Sequence, residues 1–154
     1  MHMSVEIKKE PNNILHQKLS PVNNIDLDIK NLIIEMKRLM KEANGIGLAA
    51  NQAGHNLRIF VIEENLAKEN NVPNVYINPE ITEYSKDLTQ AEEGCLSIPE
   101  FWPQIKRSKK IKIKALDENG NKIKIKARGF LARVLQHETD HLNGLLIKDR
   151  TDSK

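Results

Sequence analysis

Near the end of the chain, the stretch LQHETDHLNG sets His137 and His141 four residues apart, with Glu138 beside the first. On a helix such residues lie roughly 40° apart around the axis, so both imidazoles face one way and can reach one ion. Glu138 then stands where a carboxylate can take a proton from metal-bound water. Two imidazoles are too few for a catalytic metal, which ordinarily has three protein donors and one open position. Only 13 residues follow His141, without His, Glu or Cys; Asp149 and Asp152 are the donors there. The third ligand is therefore expected upstream.

His16 and His55 are upstream donors, but each sits in a polar stretch with no partner motif. Cys95, the single cysteine, lies in EEGCLSIPE. A lone Cys is usually a small buried apolar residue. Set against that are the missing donor and the softness of thiolate, which suits zinc or ferrous iron. A thiolate also cancels part of the cation's charge, so bound water is acidified less than in a three-histidine site. A carboxylate at hand matters more in consequence, and Glu138 is in place. Asp140 reads either as a group orienting a ligating His from behind or as a solvated helix carboxylate.

The elements that must position these groups are legible from periodicity. Residues 26–43 place Ile29, Leu32, Ile33, Met36, Leu39, Met40 and Ala43 on one face of an amphipathic helix, with Asp26 or Asp28 as its cap and Asn44-Gly45 as its stop. Residues 57–62 read as a short buried strand, 74–84 as two strand segments broken by a kink at Pro79, and EENLAKENNVP between them as a polar loop. Residues 109–127 alternate Lys with Ile and Ala on both sides of Asn119-Gly120, a hairpin pattern. A second helix is expected over 130–143, then a last short strand at LLIKD; residues 1–24 read as irregular. The order predicts an α+β fold. Mostly antiparallel sheets should pack around a central C-terminal metal-binding helix, with an amphipathic N-terminal helix, in one domain spanning 1–154.

With 154 residues and 29% charged residues, the composition is that of a soluble globular domain. The formal net charge of +3 does not by itself call for nucleic acid. No run approaches the ~20 apolar residues of a membrane span, and MHMSVEIKKEP has no apolar signal core.

A third segment, GIGLAANQ (45–52), would alone read as a helix stop followed by a small-residue turn. Together with EGCLS and QHETDHLNG, in this order and at these separations, it makes the chain resemble the peptide deformylases. The resemblance extends over the first helix, LSPV, INPEI and the Lys-rich hairpin. It implies a hydrolase of protein biosynthesis that removes the N-formyl group from the initiator formyl-methionine of nascent polypeptides and releases formate. It further implies one divalent metal ion on Cys95, His137 and His141, natively Fe2+, with Zn2+, Ni2+ or Co2+ as substitutes. Glu138 would pass the proton from water to the leaving amine. Gln52 and the Leu96 N–H would stabilise the oxyanion. Glu93, as a supporting group, would stand with Gly45, Ile46, Gly47, Phe130 and Val134 among the substrate-binding residues. The implied partners are N-formylmethionyl nascent peptides and, transiently, the ribosome, in the bacterial cytoplasm or an organelle. No membrane or sequence-specific nucleic-acid contact is implied.

Two features depart from the family pattern. Many members continue into a basic helical tail that docks on the ribosome, whereas this sequence stops at KDRTDSK. Some have an Arg near Trp102 that helps hold substrate; Trp102 either covers the pocket mouth or packs at a strand edge. The rival functions are a metal-dependent endopeptidase, which needs a downstream ligand, and an inactive deformylase-like protein that binds RNA or the ribosome through Lys109, Lys110, Lys112, Lys114, Lys122, Lys124 and Lys126. Alternating lysines commonly make a solvated face that discourages edge pairing, and no aromatic residues interleave to stack on bases.

Overall fold

The computed structural model describes residues 6–151. Asp152 lies outside them. The first helix, α1 (Leu27–Glu42), begins where the Asp26 carboxylate accepts the Ile29 N–H at 3.0 Å, and it turns off at Asn44, whose φ is +55°. A five-stranded antiparallel sheet follows the spatial order β1 (Gly47–Ala49), β2 (Ile59–Ile62), β3 (Val75–Tyr84), β6 (Lys110–Leu116), β7 (Lys122–Arg128). A separate two-stranded sheet pairs β4 (Leu88–Glu92) with β5 (Gln104–Ser108). Helix α3 (Gly129–Leu142) packs on one face of the large sheet and α1 on the other.

This layering explains why IFVI has no polar face. Phe60 and Ile62 point into the core shared with Leu131, Leu135 and Leu142 of α3, while Ile59 and Val61 point into the core shared with Leu32, Ile33 and Met36 of α1. A strand buried on both faces must be apolar at every position.

The structure corrects three local expectations. The polar stretch after β2 contains a short helix, α2 (Glu64–Glu69): Glu63 caps it by accepting the Asn65 and Leu66 N–H groups, and Leu66 and Ala67 are buried. The break near Pro79 does not split the strand; β3 runs through a register shift between Ile77 and Glu80, with Asn78 at φ +51°. The Asn78 side chain stabilises that irregularity by bonding the Val22 N–H and carbonyl at 2.8 and 2.9 Å. The final LLIKD segment is not a strand. It forms a single helical turn, α4 (Ile147–Arg150), in which Asp149 accepts the Leu146 N–H at 2.9 Å.

Candidate metal centre and catalytic cleft

Helix α3 carries His137, Glu138 and His141 over the inner face of the sheet, and Cys95 comes from the turn between β4 and β5. That turn is closed by the Ile98 N–H donating to the Cys95 carbonyl at 3.0 Å, a bond that does not use the Leu96 N–H. One donor atom from each of Cys95, His137 and His141 falls within a set no wider than 4.8 Å, and Cys95 Sγ lies 3.4 Å from His141 Nε2. A soft sulfur and two imidazole nitrogens at this separation suit a divalent cation such as zinc or ferrous iron. His16 is instead paired with Glu10 at 2.6 Å, His55 is exposed, and Asp149 is taken by its own helical turn.

Glu93 fixes the orientation of one ligand. Its carboxylate meets His137 Nδ1 at 3.0 Å, which leaves Nε2 as the donor facing the cluster. Both Glu93 oxygens are engaged: Arg107 donates from Nε at 2.7 Å and Nη2 at 2.9 Å, and Arg133 donates from Nη1. Glu93 was expected among the substrate-contacting residues. It borders the cleft, but its hydrogen-bonding capacity is directed to the His137 ring and to two guanidiniums. Burial tends to lift its carboxyl, yet the hydrogen bonds from His137 and Arg107 outweigh burial and hold it at about 2.

Asp140 is neither a direct support of a ligating ring nor a solvated carboxylate. It is buried and accepts from Arg107 Nη1 at 2.8 Å and from Arg150 Nε and Nη2 at 3.0 and 2.8 Å. Arg107 thereby ties Glu93 to Asp140, so the base of the site is one ion network rather than a set of independent charges.

Glu138 is 4% exposed, and its Oε1 has no hydrogen-bond partner among the described residues. Burial pushes its carboxyl up to about 7 despite the nearby charges of His137 and Arg107. Such a carboxyl exchanges a proton near neutrality. Burial pulls His137 down, but its hydrogen bonds to Cys95 and Glu93 and the Glu138 charge raise it to about 10. A cation must therefore displace a proton from that ring. Burial, with the charges of His137 and Arg107, drives His141 well below its ordinary value, into the neutral form that ligates metals.

Gln52 lies in a 3-10 turn directly after β1, fully enclosed. Its Oε1 accepts the Ala49 N–H at 2.9 Å, which points Nε2 toward Ser97 Oγ at 3.0 Å and Cys95 Sγ at 3.8 Å. The amide N–H thus faces the sulfur from the side of the cleft. Ser97, which donates in turn to the Lys8 carbonyl at 2.6 Å, carried no signal in the sequence beyond its place two residues after Cys95. Asn51 was also unread: its amide donates to the His141 carbonyl at 2.8 Å and so fastens the end of α3 to the turn that holds Gln52.

A cavity of about 480 Å³ opens over these groups. Its lining includes Gly45, Ile46, Gly47, Gln52, Glu93, Cys95, Leu96, Phe130, Val134, His137 and Glu138, while His141 is buried behind it. Close approach constrains glycines that line it. A Cβ on Gly47 would lie 2.5 Å from Glu138 Oε2, and one on Gly45 would lie 2.8 Å from the Leu96 side chain. Exposed Ile46, Phe130 and Trp102 give the cavity an apolar mouth, and the Trp102 ring rests on Gly94, where any side chain would overlap it.

The family model described as polypeptide deformylase matches residues 4–154. The peptide deformylase of Thermodesulfovibrio yellowstonii is 44% identical over 146 residues, covering 95% of this chain and 88% of that protein. The peptide deformylase of Prochlorococcus marinus strain MIT 9312 is 46% identical over 151 residues, covering 98% and 75%. Among solved structures, the Thermotoga maritima peptide deformylase superposes with a TM-score of 0.90 at 40% identity, covering 98% of this chain and 99% of that one. The enzyme from Synechococcus elongatus, in complex with actinonin, gives 0.91 at 38% identity, covering 100% and 84%.

Proposed function

The chain belongs to the peptide deformylase family, and from that premise we propose which of its residues carry the reaction and in what role. The enzyme is a metal-dependent hydrolase that removes the N-formyl group from nascent peptides. Cys95, His137 and His141 would hold a divalent cation, which would supply Lewis acidity when bound.

The remaining work falls to side chains of the cleft. Glu138 takes the proton of the attacking water and delivers it to the departing amine, so formamide and water become formate and a free N-terminus. Its burial beside the ligands, with one oxygen left unpartnered among the described residues, suits it to both halves of that transfer. Gln52 Nε2 and the Leu96 N–H donate to the oxygen that gains charge as the carbonyl carbon becomes tetrahedral, each worth on the order of 3 kcal/mol in a preorganised, water-poor site. Gly45 and Gly47 leave room for the smallest acyl group, and Ile46, Phe130 and Val134 take the methionine side chain. Edge-on backbone at β1 is available to pair with the peptide as an added strand.

The observation that carries this reading is the convergence of three ligand atoms with an unpartnered, buried Glu138 oxygen beside one cavity. Ferrous iron is the native ion in this reading. The enzyme meets its substrate in the cytoplasm by transient contact with the ribosome; no helix among the described residues is long and apolar enough to cross a membrane. The test is formate release from formyl-Met-Ala-Ser with metal analysis on the same sample. Stoichiometric metal without formate release would overturn the reading.

A further inference from the structure

The outward face of the β6–β7 hairpin is a charge ladder of one sign. In the observed register Lys110 stands opposite Arg128, Lys112 opposite Lys126, and Lys114 opposite Lys124. Lys122 extends the row beyond them, and all seven side chains are exposed. Like charges directly across a strand pair are destabilising. Among the described residues two carboxylates answer them: Glu83 pairs with Lys112 at 2.8 Å and Glu80 with Lys114 at 3.5 Å, both from β3. Seven cations against two anions is a surplus of five on one face, in a chain whose whole formal charge is +3.

Edge protection accounts for only half of this row. β7 is the outer strand of the sheet, where lysines discourage pairing with another chain. β6 is an interior strand, hydrogen-bonded on both sides, and needs no such guard. Its three lysines are nevertheless placed against the cations of β7. Leu116, in the same register series, packs with the core under α1, which puts the ladder on the α1 side of the sheet, beyond the area that α1 covers.

We infer that this face docks sequence-independently on the phosphate backbone of double-helical RNA. Charge complementarity selects a polyanion, and self-repulsion in the free protein is relieved when phosphates lie across the ladder. No aromatic side chain stands between the cations, and Tyr84 borders only the end of the row at Lys110, Lys112, Lys126 and Arg128, so contact along the ladder is with the backbone. It has no apolar side chains between the cations to enter a lipid headgroup layer. The choice of RNA rests on the reading above, since nascent chains emerge from an RNA-rich particle; the charge argument does not.

The test uses the metal-loaded enzyme and a labelled RNA duplex of about 20 base pairs, read by fluorescence anisotropy. Binding is expected at 50 mM salt and should weaken roughly 500-fold by 200 mM, the slope for about five neutralised phosphates. The triple variant Lys122→Glu/Lys124→Glu/Lys126→Glu should lose at least tenfold in affinity, keep formate release, and melt no lower than the parent because the two cross-strand repulsions at Lys114–Lys124 and Lys112–Lys126 become attractions. A charge-matched variant of exposed lysines elsewhere, Lys9→Glu/Lys18→Glu/Lys68→Glu, should lose far less. Equal losses from both triples, no binding at 50 mM salt, or capture by phosphatidylserine vesicles in place of RNA would each overturn the inference. Because formate release is measured separately, failure here leaves the deformylase reading intact.

Discussion

Gly47 and Glu138 touch so closely that a Cβ on the glycine would sit 2.5 Å from one carboxylate oxygen and 2.8 Å from the carboxyl carbon. The first strand of the sheet therefore presses its backbone against the proposed general base. Gly47→Ala should push the carboxylate out of line with the attacking water. We expect kcat to fall by about 10²-fold or more, with bound metal unchanged by elemental analysis, since no ligand touches Gly47 in this contact. Parental turnover would show that Glu138 does not need its observed position.

Glu138 itself separates metal binding from chemistry. Glu138→Ala should retain the ion and lose turnover by at least 10²- to 10⁴-fold, the usual worth of a positioned proton-transfer group. Single-turnover formate release, with metal content measured on the same preparation, checks it. Loss of the ion along with activity would instead make Glu138 part of the metal cage.

For Gln52, the hydrogen-bonding pattern fixes which end faces the reaction, because Oε1 is spent on the Ala49 N–H. Gln52→Leu should lower kcat by about 10²- to 10³-fold. An effect confined to KM would assign Gln52 to substrate binding. Ser97→Ala should cost less, since it frees the Nε2 donor without removing it.

How far this site could be read in advance depended on where its physics is local. Three short segments of contrasting chemistry named the ligands, the base and the amide, and α1, α3 and the hairpin followed from their periods. The network beneath was hidden. Arg107 and Arg133 look like ordinary surface charges in the sequence and Asp140 reads two ways, and only the approach of β5 to α3 reveals that the three brace Glu93 and His137. The β4–β5 pair was missed because β4 has no buried residue to set a period of two. Helix α2 was missed because six residues with a single capping Glu63 make too short a pattern.

That hidden network predicts an acid limb of stability. Glu93 is held at about 2, below its ordinary 4.5. Its contribution, on the order of 3 kcal/mol, is complete above pH 4.5 and disappears as pH falls toward 2. Glu138 runs the other way in the metal-free protein: its carboxyl at about 7 favours the folded state when protonated, so stability declines from pH 4.5 to 7. Urea unfolding of the metal-free enzyme at pH 2.5 and 4.5 should show the Glu93 limb. Glu93→Gln should flatten it and weaken metal affinity about 10- to 100-fold. An unchanged limb would place the acid sensitivity elsewhere.

Tyr76 offers a stability test remote from the chemistry. Its ring stacks on Phe60 at 4.9 Å in the core under α3, fully enclosed, and its hydroxyl has no hydrogen-bond partner among the described residues. Burial drives its ionisation upward, so the phenol is neutral and still carries the desolvation cost of an unmade bond. Removing only the oxygen keeps the stacking and the packing volume. Tyr76→Phe should therefore stabilise the fold by about 1 kcal/mol, with formate release unchanged. A drop of similar size in urea unfolding would mean that an ordered water satisfies the hydroxyl.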